Sequence, residues 1–215
     1  MDDLPPRFMD DPPLPPGGRP AEDDPPWDAW SPAEVARRLA GVTVPWCVAA
    51  GWAVDLFRGE TTREHEDLEI AIPAAGFPPI RDALPELEWE AAGSGRLFPA
   101  DHPAFDRTHQ TWGRSKDSGI YRIDVFREPH ENGTWICRRD QSITRPYDQL
   151  IARTADGIPY LVPEVALLFK AKSSRPKDLH DFMGALPLLS APSRAWLAWA
   201  LRRVHPGHAW LAMLD

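Results

Sequence analysis

Three carboxylates stand out because of where they fall in the alternation of the chain. Residues 66–72, EDLEIAI, alternate polar and apolar, with Asp67, Glu69 and Ala71 on one face and Leu68, Ile70 and Ile72 on the other. That is the pattern of a half-buried strand. Carboxylates at i and i+2 share a side of a strand and repel each other. A divalent cation removes the repulsion, and Mg²⁺ takes hard oxygen ligands, usually one or two carboxylates plus phosphate oxygens. A second alternating run, IYRIDVFR at 120–127, carries Asp124 on one face with Ile120, Arg122 and Phe126. If the two strands are neighbours, Asp124 completes a three-carboxylate cluster that can hold one or two metal ions for an in-line phosphoryl displacement. Each acid taken alone reads equally well as a residue on the wet face of a strand.

Ala50-Gly51-Trp52 lies where an apolar run, Val44 to Ala50, gives way to the helical pattern WAVDLF. A glycine there lets backbone approach a phosphate, and a helix N-terminus offers free N–H groups. A lone glycine at a strand end is usually only a turn, so this supports a site only in combination. Arg63 and His65 precede the acidic strand. Arg63 can contact phosphate or pair with Asp55 or Glu66, and His65 reads as a hydrogen-bonding loop residue rather than a base. Lys170 and Lys172 follow Pro163 on a predicted helix, and either could reach a triphosphate. Two residues apart they do not share a helical face, so at most one is functional; the alternative is a solvated lysine. Lys177, Asp178 and Asp181 read as a helix start with a local charge pair.

The elements that must position these residues follow from caps and periodicity. Ser31, Pro32 and Glu34 form a capping box with proline at the first helical position, predicting a helix to about Gly41. Val44–Ala50 reads as a buried strand, Trp52–Phe57 as a helix ending near Gly59, and residues 77–87 as a helix interrupted by prolines. Residues 93–117 lack periodicity and read mainly as loop. Asn132-Gly133 predicts a hairpin turn between the Asp124 strand and TWICRR. Helices are expected after Pro163, over Asp178–Leu189 and over Pro192–Val204. Trp196, Trp199 and Trp210 fit an amphipathic core stripe.

Residues 1–26 stand apart, with nine prolines, seven acidic residues and two arginines. Such a segment buries too little apolar surface to offset its ordering entropy. It is expected to be a disordered, Pro-rich acidic tail. The layout is then a tail at 1–26, an α/β core at 27–150 and a mainly helical C-terminal subdomain at 151–215. The tail holds most of the formal net charge of −8 and leaves about −3 on the rest. That balance argues against nucleic acid as a partner, since phosphate binding wants a basic footprint, and an acidic surface suits a cationic small molecule. Cys47 and Cys137 sit in apolar stretches without metal-ligand spacing and read as buried thiols of a cytoplasmic protein. No signal peptide and no membrane-length apolar run is visible.

The stretch AAGWAVDLFRGETTREHEDLEIAI, residues 49–72, resembles the opening motif of the nucleotidyltransferase superfamily with the DNA polymerase β-type fold. More narrowly it resembles the minimal aminoglycoside 2″-adenylyltransferases and lincosamide nucleotidyltransferases, at Gly51, Trp52, Ala53, Asp55, Thr62, Arg63, His65, Asp67 and Glu69. Residues 157–182 resemble the C-terminal portion of related bacterial proteins, so the recognisable parts cover roughly 46–72 and 119–182. The resemblance implies an α+β fold, with a small mixed β-sheet core flanked by helices and a helical C-terminal portion. It also implies an enzyme that moves a nucleoside monophosphate from an NTP, ATP or GTP, to a hydroxyl of a small molecule such as an aminoglycoside or lincosamide antibiotic. Asp67, Glu69 and Asp124 would bind Mg²⁺, with Asp124 a base, a metal ligand or both. Gly51, Trp52, Arg63 and Lys170 would hold the nucleotide. The resemblance leaves a homodimer open. It also leaves open an RNA- or protein-modifying relative of the toxin–antitoxin type, or a catalytically silent NTP-binding protein. Two departures from the pattern are Ala50, where glycine is expected, and Glu69, where aspartate is the commoner second acid.

Overall fold

The computed structural model describes residues 13–21, 26–173 and 175–214. Strands β1 to β6 span Arg19–Pro20, Cys47–Val48, Glu69–Pro73, Leu87–Gly93, Arg96–Pro99 and Gln110–Ser115. Strands β7 to β12 span Tyr121–Glu128, His130–Glu131, Thr134–Ile136, Thr144–Pro146, Ile151–Arg153 and Pro159–Leu161. Helices α1 to α4 span Pro32–Arg38, Ala50–Arg58, Phe77–Ala83 and Tyr147–Leu150. Helices α5 to α8 span Pro163–Lys170, Pro176–Ala185, Ala191–Val204 and Leu211–Leu214.

A nine-stranded mixed sheet in the order β1-β5-β4-β6-β7-β3-β2-β12-β11 forms the backbone of the molecule. Its β3–β7 and β2–β12 pairs are parallel and the others antiparallel. The alternation read from the sequence sets its two faces. Leu68, Ile70, Ile72, Ile123 and Val125 are buried together with Val35 of α1 and Ile80 of α3. Ala71 and Phe126 point the other way, toward a core built from α5, α6 and α7 with Leu167, Phe182 and Leu201. The fold is α+β, as expected.

Local chemistry explains where the elements begin and end. Ser31 Oγ accepts a hydrogen bond from the Glu34 N–H at 3.2 Å and caps α1, which stops at Arg38. Gly59 adopts φ +77° and closes α2 in the left-handed conformation. The Asn132-Gly133 turn has both residues at positive φ, as a tight hairpin turn requires. It joins β8 to β9 in a separate three-stranded sheet, however, not β7 to β9.

The expected loop at 93–117 also contains two strands, β5 and β6. β6 lies between β4 and β7 near the middle of the large sheet. Its polar Gln110, Thr111 and Arg114 hid its period, and Gly113 is there because a Cβ would meet the Trp89 ring at 2.8 Å. The expected boundary at 150/151 falls inside the sheet, since β11 and β12 extend it beside β2. Of the expected tail, residues 1–12 and 22–25 lie outside the described residues. Residues 13–21 do not match a disordered reading: they run along the sheet edge with Arg19 paired to Leu97 and Leu14 packed against the cluster of Ala91, Phe98 and Ala104. Both cysteines are buried and free. Of the expected tryptophan stripe, Trp210 is buried and Trp196 packs on the core, but Trp199 is exposed and lies near Arg203. Among the described residues no helix is long and apolar enough to cross a membrane.

Candidate active site

The parallel pairing of β3 and β7 puts Glu69 directly opposite Asp124, so both carboxylates leave the sheet on the same side. Asp67 precedes Glu69 by two residues and lies just ahead of the strand. The three acids feel one another. Desolvation pushes the Glu69 carboxyl well above the usual glutamate range, and the charges of Asp67 and Asp124 push it further, against Lys170. Asp124 is pushed up to about 7, first by burial and then by Asp67, against the hydrogen bonds it accepts. Its Oδ2 accepts from Gln110 Nε2 at 2.9 Å and from Trp112 Nε1 at 3.1 Å, while its buried Oδ1 has no hydrogen-bond partner. Both donors come from β6, the strand hidden from sequence reading.

Asp67 and Glu69 border a cleft of about 400 Å³ that also meets Ala50, Gly51, Arg63, Lys170 and Gln110, the side chain that donates to Asp124. Among the described residues, no three His, Cys, Asp or Glu side chains stand ready-made as a metal-ligand set. The donors nevertheless suit a hard divalent cation. They are all carboxylate oxygens, one of them is buried without a partner, and their mutual repulsion is what such an ion relieves.

At the other side of the cleft, α2 starts immediately after β2, with Ala49 N–H donating to Glu69 O at 2.8 Å. No side chain caps this helix end. Ala50 has φ +48°, the left-handed region that glycine adopts freely and alanine does not. Gly51 is buried against two side chains. A Cβ there would meet Arg63 Nη2 at 2.2 Å and His65 Cε1 at 2.8 Å. Gly51 therefore seats the loop before β3 against the helix N-terminus.

That loop is clasped from behind by Asp55, which accepts from Thr62 N–H at 3.1 Å, Thr62 Oγ1 at 2.7 Å and His65 Nε2 at 2.7 Å. A carboxylate cannot donate, so the His65 proton sits on Nε2. Burial lowers the His65 pKa, partly offset by the bond to Asp55. Trp52 stacks on the His65 ring with centroids 4.2 Å apart and packs into the core. It does not line the cleft and supports the loop instead of meeting a ligand directly.

Arg63 pairs with neither Asp55 nor Glu66. Its Nε and Nη2 both donate to Asp181 of α6, each at 3.1 Å. The reading of Lys170 as a solvated side chain does not hold either. It is buried, with Nζ 2.7 Å from Asp181 and 3.4 Å from Asp178. Asp178 also accepts from Arg175 Nε at 2.8 Å. Of Lys177, Asp178 and Asp181, read from the sequence as a helix start with a local charge pair, the two aspartates are fully buried anchors that hold Lys170, Arg175 and, from the other half of the chain, Arg63. Neither the pairing with Lys170 on the preceding helix nor the 118-residue reach to Arg63 was read from the sequence.

With this geometry in view, the comparisons with known proteins agree on one class. The sequence model for aminoglycoside-2″-adenylyltransferase matches residues 33–96. The crystal structure of ANT(2″)-Ia in complex with adenylyl-2″-tobramycin superposes with a TM-score of 0.53 at 12% identity, over 80% of this chain and 95% of that one. The solution structure of ANT(2″)-Ia gives 0.53 and 12%, over 79% and 88%. The lincomycin-bound lincosamide adenylyltransferase LnuA gives 0.49 at 18%, over 70% and 90%. No curated protein matches the sequence. At these identities the likeness to the two ANT(2″)-Ia structures shows the fold. Family match and fold together show that the chain resembles nucleotidyltransferase enzymes.

Proposed function

We propose that this protein is a Mg²⁺-dependent nucleotidyltransferase that moves a nucleoside monophosphate from an NTP, ATP or GTP, to a hydroxyl of a small molecule. The observation that carries the reading is the register of Glu69 with Asp124 on adjacent parallel strands, with Asp67 two residues ahead, at a cleft that also meets a helix N-terminus. Asp67, Glu69 and Asp124 would hold the ion, which supplies charge neutralisation at the phosphate oxygens. The start of α2, Arg63 and Lys170 face the cleft where a polyanion is neutralised by backbone N–H groups and fixed cations. Asp124, with Oδ1 unpartnered and its pKa pushed up to about 7, suits the base. Its carboxylate takes the acceptor proton while the acceptor oxygen bonds to the α-phosphorus. The bond from that phosphorus to the β-phosphate oxygen breaks, and pyrophosphate leaves. Catalysis of this kind rests on positioning and electrostatics.

Aminoglycosides and lincosamides, the compounds in the names of the similar proteins, belong in the acceptor panel beside uncharged hydroxyl compounds. Incubation with each labelled NTP, Mg²⁺ and a panel of hydroxyl compounds should give a nucleotidylated adduct by mass spectrometry. Asp67→Ala should abolish metal-dependent nucleotide binding in a calorimetric titration. Unchanged binding in that variant sinks the site assignment.

A further inference from the structure

The chain is acidic, but its cleft is not. Seven lysines and arginines border it against four acids, Glu66, Asp67, Glu69 and Glu128. Asp67 and Glu69 belong to the proposed ion site, and Glu66 lies at the rim, exposed and 3.5 Å from Lys177. That leaves Glu128 as the acid that an acceptor's amine could meet inside.

Glu128 is already committed. It lies on the same face of β7 as Asp124 and Phe126, so it sits about 13 Å along the strand from Asp124, at about 3.3 Å per residue. Its Oε1 pairs with the Arg138 guanidinium, both side chains buried, and Trp135 Nε1 donates to its Oε2 at 3.4 Å. Arg138 in turn lies 4.2 Å over the Phe169 ring, and Arg139 lies 4.7 Å from the same ring. Phe126, Trp135, Tyr147 and Phe169 give the cleft an aromatic lining around this pair. The buried Tyr147 hydroxyl has no hydrogen-bond partner.

A polyamine needs a carboxylate for each ammonium it brings out of water, because burying a charge without a partner is strongly unfavourable. Among the described residues this cleft offers none beyond the ion site and the rim. What it offers is ring surface for an apolar body and an arginine-rich end. Resting on the nucleotidyltransferase reading, we infer that the acceptor is a neutral or anionic hydroxyl compound with an apolar or aromatic body, and not a polycation. The acidic net charge of the whole chain points the opposite way. The cleft decides, because the charges that count are those within a Debye length of about 8 Å of the ligand.

The test uses the full chain with Mg²⁺ and a non-hydrolysable ATP analogue, titrated calorimetrically with chloramphenicol as the neutral hydroxylated aromatic and tobramycin as the polycation. Binding of the analogue alone reports on the nucleotidyltransferase reading, so its loss is read separately from acceptor choice. Chloramphenicol is expected to bind at least tenfold more tightly than tobramycin. Equal or tighter binding of tobramycin, or no binding of chloramphenicol to the analogue-loaded protein, overturns the inference. Arg138→Gln frees the Glu128 carboxylate and should raise tobramycin affinity at least tenfold; an unchanged affinity in folded variant overturns it too. If that variant fails to fold, the comparison of the two probes on the wild type stands by itself.

Discussion

Ala50 sits in the turn that opens the site, in a backbone conformation that opposes its side chain. At φ +48° its Cβ crowds the neighbouring carbonyl, a strain of about 1 kcal/mol or somewhat more. Ala50→Gly removes that strain but gains backbone entropy in the unfolded chain. With the strain the larger effect, the variant should be more stable by up to about 1 kcal/mol, seen as a rise in Tm of about 2–4 °C for a chain of this size. A fall in Tm would mean that the turn is relaxed as it stands. Gly51→Ala should act in the opposite sense. The added Cβ meets Arg63 Nη2 at 2.2 Å, so the guanidinium must leave its seat, and Mg²⁺-dependent nucleotide binding should weaken. At this scale much was legible. The first alternating run supplied Asp67 and Glu69, which both border the cleft although the strand itself begins at Glu69, and the second supplied Asp124. The partners of Asp124 were not legible, because Gln110 and Trp112 act through a strand whose polar residues carry no hydrophobic period.

Between elements, a buried ion network ties α5 and α6 to the loop before β3. Asp181 alone receives Arg63 from that loop and Lys170 from α5. Asp181→Asn leaves two cations short of their counter-charge, and breaking a buried pair on one side costs about 3–5 kcal/mol. The partial exposure of Arg63 places the expected loss at the lower end, measurable by urea unfolding. The pH dependence has a definite sign. Burial raises the pKa of Asp181, but its bonds with Arg63 and the charge of Lys170 more than reverse this, so it titrates below its usual value. The same holds for Asp178 with Arg175 and Lys170. A depressed carboxyl pKa gives stability that is present above the unfolded value, about 3.9, and is lost as pH falls through the lower folded value. Wild-type stability should therefore decline below about pH 4, and Asp181→Asn should lose less over that range. Identical acid limbs for the two proteins would show that the network does not carry this dependence. The sequence put Lys170 at the end of one predicted helix and Asp178 and Asp181 at the start of the next. A partner 118 residues away is a matter of topology, which local spacing cannot encode.

For the whole molecule, the segment read as a disordered tail has a structural task over part of its length. Residues 13–21 lie along β5, the outer strand of the sheet but for β1. Ala21 N–H donates to Gly95 O at 2.9 Å, and Arg96 donates to the carbonyls of Gly17 and Gly18. Gly18 has φ +67°, and a Cβ there would lie 2.6 Å from the Phe98 ring, so glycine is what lets the chain pass so close. Arg19 binds Glu90 and the Tyr121 hydroxyl, which itself donates to Glu90 at 2.6 Å. Proline content and charge described this stretch correctly as unable to build a core, but an extended chain needs only a sheet edge to lie on. A bare edge strand invites pairing with another chain. Removing residues 1–21 should uncover β5, release Leu14 from the cluster around Phe98 and leave Glu90 with Arg114 but without Arg19. Loss of one partly buried leucine contact and the edge pairing should lower stability by about 1–2 kcal/mol, a fall in Tm of about 3–6 °C. Light scattering should show association rising with concentration for the truncated chain, while Mg²⁺-dependent nucleotide binding, on the far side of β7, persists. A truncated chain that melts with the full one and stays monomeric would show that the segment merely rests on the sheet.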